Sequence, residues 1–330
     1  MGEFDVIARY FHRTKDLKRA APAIEQVALG IGDDCALLSP RAGMQLAVSS
    51  DMLVEGRHFF KDVSPEALGH KALAVNLSDL AACGAQPVAF TLALALPQID
   101  AAWLSGFASG MFALADTHGC QLMGGDTTRG PLNICITVIG QVPSGQALLR
   151  SGASAGDDVY VSGTLGDARL ALDALQGKVQ ISDDVLQRTR QRLERPMPRV
   201  ALGMALRGVA TAAIDVSDGL LGDLAHVLHA SGCGAEIDIE IVANCSILAS
   251  ENHGFTALYC QQLTAAGGDD YELVFTAPVA ARALVAQAAL NSATKVTRVG
   301  SITATSGLVL RDASGAEVAQ SFASFDHFKV

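Results

Sequence analysis

Apolar residues recur along this chain with two different periods. Pro65 opens a run in which Leu68, Ala72, Val75 and Leu80 fall along one face, predicting a helix to about Ala82. Residues 101–118 predict a second helix, ended by Gly119 in the C′ position. Short apolar segments at 45–50, 88–96 and 134–142 predict strands, and the 88–96 segment alternates large and small residues. Punctuation follows at 143–145 (Pro-Ser-Gly) and at 151–156, and the pattern then restarts. The second half predicts a strand at Asp158–Ser162, helices near 166–176, 183–194, 198–207 and 219–230, and strands at 236–242 and 272–277. A helix at 279–290 and short strands at 296–301 and 307–311 complete it. Alternation of this kind predicts an α/β fold (α+β layers) with two α/β domains, 1–148 and 149–330. The charge-free stretch Leu80–Ile99 has about the length of a membrane span. Gln86, Pro87, Pro97 and Gln98 interrupt it, so it reads as a helix end, a turn and a buried strand.

The totals narrow the class. The chain has 330 residues, 50% hydrophobic and 18% charged, enough for two cored domains of roughly 150 residues each. Lys plus Arg is 24 against 34 Asp plus Glu, a net charge of −10 that argues against nucleic acid or an anionic membrane as partner. Phosphate substrates stay open, because bound metals invert the local sign. Seven cysteines, at 35, 83, 120, 135, 233, 245 and 260, contain no Cys-x-x-Cys pair and read as reduced thiols of a cytosolic protein. The start, Met-Gly-Glu-Phe-Asp, has neither a basic n-region nor an apolar h-region, so no signal peptide is expected.

The chemistry lies in six short acidic motifs. They are Gly-Ile-Gly-Asp-Asp (30–34), Ser-Ser-Asp (49–51), Asn-Leu-Ser-Asp (76–79), Gly-Gly-Asp (124–126), Asp-Val-Ser-Asp-Gly (215–219) and Gly-Gly-Asp-Asp-Tyr-Glu (267–272). Most follow an apolar run, which places the acids where a strand or helix ends. A tight turn accounts for one such motif, since Gly and Asp dominate turns. Six are harder to ascribe to turns. Crowded carboxylates repel, and they become tolerable when hard divalent cations such as Mg²⁺ sit among oxygen ligands. Asp79 stands late in an apolar helix, poorly placed for solubility, where metal ligation is preferred to a cap or a salt bridge such as one with Lys71. Gly124-Gly125-Asp126-Thr127-Thr128-Arg129-Gly130 offers glycines through which backbone N–H groups approach phosphate, and an acid for a metal. P-loop, protein-kinase, Gly-x-Ser-x-Gly and His-Glu-x-x-His signatures are all missing. His58 is a candidate site histidine or an ordinary exposed or core histidine, and Arg150 is a candidate phosphate anchor or a plain surface cation.

In order, these motifs are similar to those of the thiamine-monophosphate kinase family, in the superfamily that includes aminoimidazole ribonucleotide synthetase and selenophosphate synthetase. The resemblance rests on residues 30–36, 49–59, 71–82, 124–130, 150–153, 214–220, 267–273 and 325–328, so it runs nearly the length of the chain. It implies ATP-dependent phosphorylation of thiamine monophosphate to thiamine diphosphate. Asp33, Ser49, Ser50, Asp51, Asp79, Asp126, Asp215 and Asp218 are the implied ligands of several Mg²⁺ ions. Gly125, Asp126, Arg150 and Ser217 are the implied nucleotide contacts, with His118 where the family often has Tyr. His58, Glu272 and Phe325 are the implied substrate contacts, Phe325 standing where the family often has Tyr or Trp. The resemblance further implies an N-terminal ATP/Mg-binding and dimerisation domain whose sheet pairs across a homodimer, and a C-terminal domain closing the substrate cleft.

That chemistry suits the residues. A phosphate monoester with a second pKa of about 6 is largely a dianion at neutral pH and needs no general base. The obstacle is bringing it against the γ-phosphate of ATP, which metals and positioning address. Direct in-line transfer without a phosphoenzyme is the expected course. A sister enzyme with another acceptor, or a non-catalytic metal–nucleotide binder, are the alternatives. Residues 1–30 lack the Cys that selenophosphate synthesis would lead one to expect, and none of the expected Asp residues is missing.

Overall fold

The computed structural model describes residues 2–13, 26–251, 253–320 and 322. The chain divides into two compact units, one of Met1–Leu80 with Ala85–Gly145, the other of Ala81–Gly84 with Gln146–Val330. Among the described residues no helix is long and apolar enough to cross a membrane.

In the first unit, α1 (Glu3–Val6) continues as a π-helical turn, Ile7–Phe11, and β1 (Val27–Leu29) pairs with β2 (Leu37–Leu38). The main elements are β3 (Met44–Val54), α2 (Pro65–Ala82), β4 (Gln86–Leu96), α3 (Ala101–His118), β5 (Gln121–Arg129) and β6 (Asn133–Pro143). The four-stranded sheet has the order β3-β6-β4-β5 and is antiparallel except for the β4–β5 pair, which α3 connects. Along β6, Ile134, Ile136 and Val138 are buried in alternation, the period-2 pattern of one covered face. Residues 71–78 of α2 are buried without a break, so this helix is enclosed on all sides in its middle. Its approach to α3 is at backbone distance. A Cβ on Gly69 would lie 2.0 Å from the Phe107 carbonyl oxygen, and one on Gly110 would lie 1.8 Å from that of Glu66. The ends of α3 follow local chemistry. Asp100 accepts from the Ala102 and Trp103 amides, and Gly119 closes the helix in the left-handed conformation, φ 60°.

The second unit contains β7 (Asp158–Ser162), α4 (Asp167–Leu175), α5 (Asp183–Glu194), α6 (Val200–Ala205), β8 (Ala212–Val216) and α7 (Leu220–Ser231). There follow β9 (Gly234–Asp238), α8 (Ile239–Ala243), α9 (Ala257–Ala266), β10 (Glu272–Ala277), α10 (Arg282–Asn291), β11 (Val296–Thr303) and β12 (Gly307–Arg311). Its six strands run in the order β12-β9-β11-β7-β10-β8, with only β12–β9 parallel. Every residue of β7, β8 and β10 is buried, which makes these the centre of the unit's core.

The α/β character expected from the pattern holds; α1, β1 and β2 were not expected, and four further differences are local. The strand expected at 45–50 extends to Val54, so Asp51 lies within a strand rather than at its end. The Gly-Gly-Asp run at 124–126 is inside β5: it has no apolar alternation of its own, and pairing with β4 supplies its backbone partners. The 236–242 strand stops at Asp238, whose side chain accepts from the Ile241 amide and starts α8. Finally, α9 was not expected; Thr256 caps it through the Tyr259 amide. Because the α2–α3 contact tolerates no side chain, Gly110→Ala should destabilise the protein by about 1–3 kcal/mol, the usual cost of overpacking. Urea denaturation measures this, and an unchanged midpoint would show that the helices separate at little cost.

Candidate active site

The N-terminal unit holds two groups of expected site residues. The first lies between β3 and α2. Ser49 and Asp51 alternate onto the same face of β3. The Ser49 hydroxyl donates to Asp79 Oδ2, and the Asp51 amide donates to Asn76 Oδ1 at 3.0 Å, so β3 is tied to α2 on both sides of the acids. Asn76 is itself held by donating to the Ala72 carbonyl at 3.0 Å, one helical turn back. Burial, and then the negative charge of Asp79, push the Asp51 carboxyl up from 3.8 to about 6. That rise corresponds to roughly 3 kcal/mol in favour of the protonated form. Ser50, expected as a ligand, points to the other face, where its hydroxyl donates to the Ile136 carbonyl at 3.2 Å and lies 3.0 Å from Thr137 Oγ1.

The second group surrounds a cavity of about 930 Å³ lined by Asp33, Asp34, Gly125, Asp126 and Thr127, with Phe11 and Leu92 among its apolar walls. Asp33 Oδ1 accepts from the Asp34 amide at 2.8 Å, which fixes the turn. Gly125 has φ 145°, and a Cβ there would sit 1.9 Å from the Leu92 carbonyl oxygen, so this position requires glycine. In the sheet register Asp51 pairs with Ile136, Ile136 with Leu92, and Leu92 with Gly125. The two groups therefore stand about three strand spacings apart, roughly 14 Å. Among the described residues no three His, Cys, Asp or Glu side chains converge as a ready-made cage. Mg²⁺ suits what is present, since it is commonly held by one or two carboxylates together with water and substrate phosphates. The Asp51–Asp79 pair with Ser49 fits that description through its repulsion and its hard oxygen donors.

Two histidines of this unit were also expected at the site. His58 lies in the turn after β3, and its Nδ1 accepts from the Val54 amide at 3.0 Å. His118 ends α3, where burial and then the charge of His70 lower its pKa; it is not among the residues lining the cavity.

In the second unit Asp215 is the penultimate residue of β8, and Ser217 and Asp218 form the loop to α7. Asp223 accepts from the amides of Ser217, Asp218 and Gly219 at 3.0, 3.0 and 3.2 Å, which closes this loop over the start of α7. Burial pushes the Asp223 carboxyl up to about 7, against the pull of these donors. Pattern reading passed over Asp223, because it sits in an amphipathic helix without a motif of its own. Arg150 is exposed, and its carbonyl accepts from Ser231 Oγ at 3.2 Å. Glu272, expected to meet the substrate, is fully buried instead. Arg192, Arg199 and Ser162 occupy its carboxylate at 2.5–2.6 Å. In the same motif Asp269 is the half-buried acid, next to Ser217, whose carbonyl accepts from its amide at 2.8 Å. Phe325 lies outside the described residues.

These two units match two halves of one family. The N-terminal domain of AIR synthase related protein matches residues 32–142, and the C-terminal domain matches residues 154–313. Fold and site thus define the AIR synthase related class. A thiamine-monophosphate kinase of Salmonella typhimurium is 44% identical over 330 residues, covering 99% of this chain and 98% of that protein. The crystal structure of thiamine-monophosphate kinase from Stenotrophomonas maltophilia has a TM-score of 0.81 at 43% identity, covering 93% of this chain and 94% of the other. AaThiL complexed with AMPPCP and TMP has a TM-score of 0.75 at 29% identity, covering 88% and 89%. Within that class, the chain belongs to the thiamine-monophosphate kinase family.

The acid pair has a measurable consequence. A carboxyl whose pKa is raised on folding adds stability below its unfolded value and loses it as pH rises through the folded value. In metal-free protein the Asp51 contribution should therefore decline between about pH 4 and pH 6. Added Mg²⁺ should raise Tm more at pH 8 than at pH 5, and Asp51→Asn should remove most of that difference. Differential scanning fluorimetry with and without Mg²⁺ tests this; equal shifts at both pH values would dissociate Asp51 from metal binding.

Proposed function

We propose that this protein transfers the γ-phosphoryl group of ATP to the phosphate of thiamine monophosphate, giving thiamine diphosphate and ADP. The observation that carries the reading is the juxtaposition of Asp51 and Asp79 around Ser49, in a chain alignable over 99% of its length with a thiamine-monophosphate kinase. Bound Mg²⁺ would supply the positive charge that lets two phosphate groups approach. Asp51, Asp79 and Ser49 would hold one such ion, and Asp33 and Asp126 others toward the cavity. Gly125, which lines the cavity, would meet the nucleotide phosphates through its backbone. In the C-terminal unit Asp215 and Asp218 would serve as further ligands, with Ser217 and Arg150 on the nucleotide. Ser50 would contribute through its backbone, since its hydroxyl is engaged with β6. His118 is kept as a nucleotide contact, and His58 and Phe325 as substrate contacts.

The acceptor oxygen is already anionic at neutral pH, so no side chain has to remove a proton from it. The protein's work is to bind, align and exclude water, which agrees with a site of acids and glycines lacking a general base. The reaction is a single in-line transfer, and the N-terminal domain supplies most of the metal and nucleotide contacts. The protein acts in the cytoplasm as a homodimer. The dimer reading rests on β3, which has only β6 beside it among the described strands and exposes Leu46, Val48, Met52 and Val54 by 44, 62, 53 and 37%. A second copy pairing along this edge would cover them.

Three measurements test the reading. With ATP, Mg²⁺ and thiamine monophosphate, thiamine diphosphate and ADP should form in equal amounts and vanish with EDTA; ADP alone would indicate another acceptor. Asp126→Asn should lower kcat by on the order of 100-fold while the circular dichroism spectrum is retained. Wild-type turnover in that variant would remove Asp126 from the metal set. Val48→Lys should convert a dimer into a monomer in sedimentation velocity, and a wild-type monomer at high concentration would refute the pairing.

A further inference from the structure

Glu272 opens β10 directly opposite Val216 of β8, between the site residues Asp215 and Ser217. Arg199 grips its carboxylate through two nitrogens, at 2.6 and 2.5 Å, and Arg192 adds a contact at 2.6 Å. Ser162 donates to it at 2.5 Å and in turn accepts from the Leu273 amide at 2.8 Å, which ties β7 to the same point. Arg192 also donates to the Asp270 carbonyl at 3.2 Å, reaching into the turn that precedes the strand. That turn holds two non-glycine residues at positive φ, Asp269 at 64° and Tyr271 at 50°, a conformation that persists only where its surroundings enforce it.

The turn is bonded to the 215–219 loop along its length. The Tyr271 amide donates to the Val216 carbonyl and the Asp269 amide to the Ser217 carbonyl, both at 2.8 Å. A Cβ on Gly268 would stand 2.6 Å from the Ser217 carbonyl oxygen, so the two backbones touch. With Asp223 on the opposite side, the loop is held between a helix start and this turn.

We propose that Glu272, clamped by Arg192 and Arg199, is a positioning residue: it locks the Gly267–Tyr271 turn and thereby sets Asp215, Ser217 and Asp218. The proposal rests on the reading above that these three residues meet metal and nucleotide. A full charge buried between two guanidinium groups has one low-energy geometry, and the bidentate fork of Arg199 makes it directional. The device is suited to a loop that carries two like charges and would otherwise spread.

The test compares Arg199→Lys, which keeps the charge but loses the fork, with Glu272→Gln. Arg282→Lys alters a comparable pair, with Asp158, elsewhere in the sheet and serves as the structural control. Hydrogen exchange at the amides of residues 217–219 should speed up by about tenfold in both test variants and stay unchanged in the control. Binding of Mg·ATP by calorimetry should weaken by about tenfold, the usual effect of losing a residue that orients a ligand. The KM for thiamine monophosphate at saturating ATP should change by less than about twofold. Unchanged exchange and Mg·ATP affinity would overturn the proposal, and a raised KM for thiamine monophosphate alongside them would make Glu272 a substrate contact. Should Glu272→Gln not fold, Arg199→Lys decides by the same criteria. If wild-type protein binds Mg·ATP but does not make thiamine diphosphate, the functional reading fails while exchange and calorimetry still judge the positioning role.

Discussion

Repulsion between carboxylates held at fixed positions is the constraint around which this protein is organised. Asp51 belongs to an eleven-residue strand and Asp79 to an eighteen-residue helix, and neither element can shift to separate the charges. The helix is held against α3 by contacts that admit no side chain at Gly69 or Gly110. The strand is tied to the helix through Ser49 and Asn76. Rigid packing thus preserves an unfavourable electrostatic arrangement; burial first, and then the charge of Asp79, hold the Asp51 carboxyl above its ordinary pKa. Under the proposed function, this is where a cation would offset the repulsion.

Several acids of the second unit are held differently, each against partners inside the protein. Glu272 is neutralised by two arginines. Asp270 and Asp167 accept backbone amides, the former from Gly166 and the latter from Ile247, and Asp223 accepts three. Each of these is a buried polar group with its hydrogen bonds made inside the protein, as structural acids require. Asp218 and Asp269 lie half-buried on the facing loop and turn that this framework supports. Burial thus separates Asp269 from its neighbours Asp270 and Glu272 within one short motif.

Much of the fold was legible because its signals are local. The helices at 101–118 and 183–194 carry their own caps, Asp100 with Gly119 and Ser182, and lie where the sequence placed them, the first from Gly119. The strand at 121–129 was not legible, since its polar glycine-rich run becomes a strand only by pairing with β4. The same holds for α8, where an apparently continuous apolar alternation is broken by a single aspartate cap.

For the site, the sequence by itself determined which residues are on offer: glycine-flanked acids and their order along the chain. These follow from residue type and near neighbours. Only the tertiary structure decided which acids meet. Register across four strands separates Asp51 from Gly125 and turns Ser50 away from Ser49, because side chains alternate and strands have a fixed spacing. That Glu272 is enclosed while Asp269 of the same short motif is not depended on arginines some eighty and seventy residues earlier in the chain. No local rule specifies such partners, since a buried carboxylate takes its counter-charge from whatever the fold brings beside it.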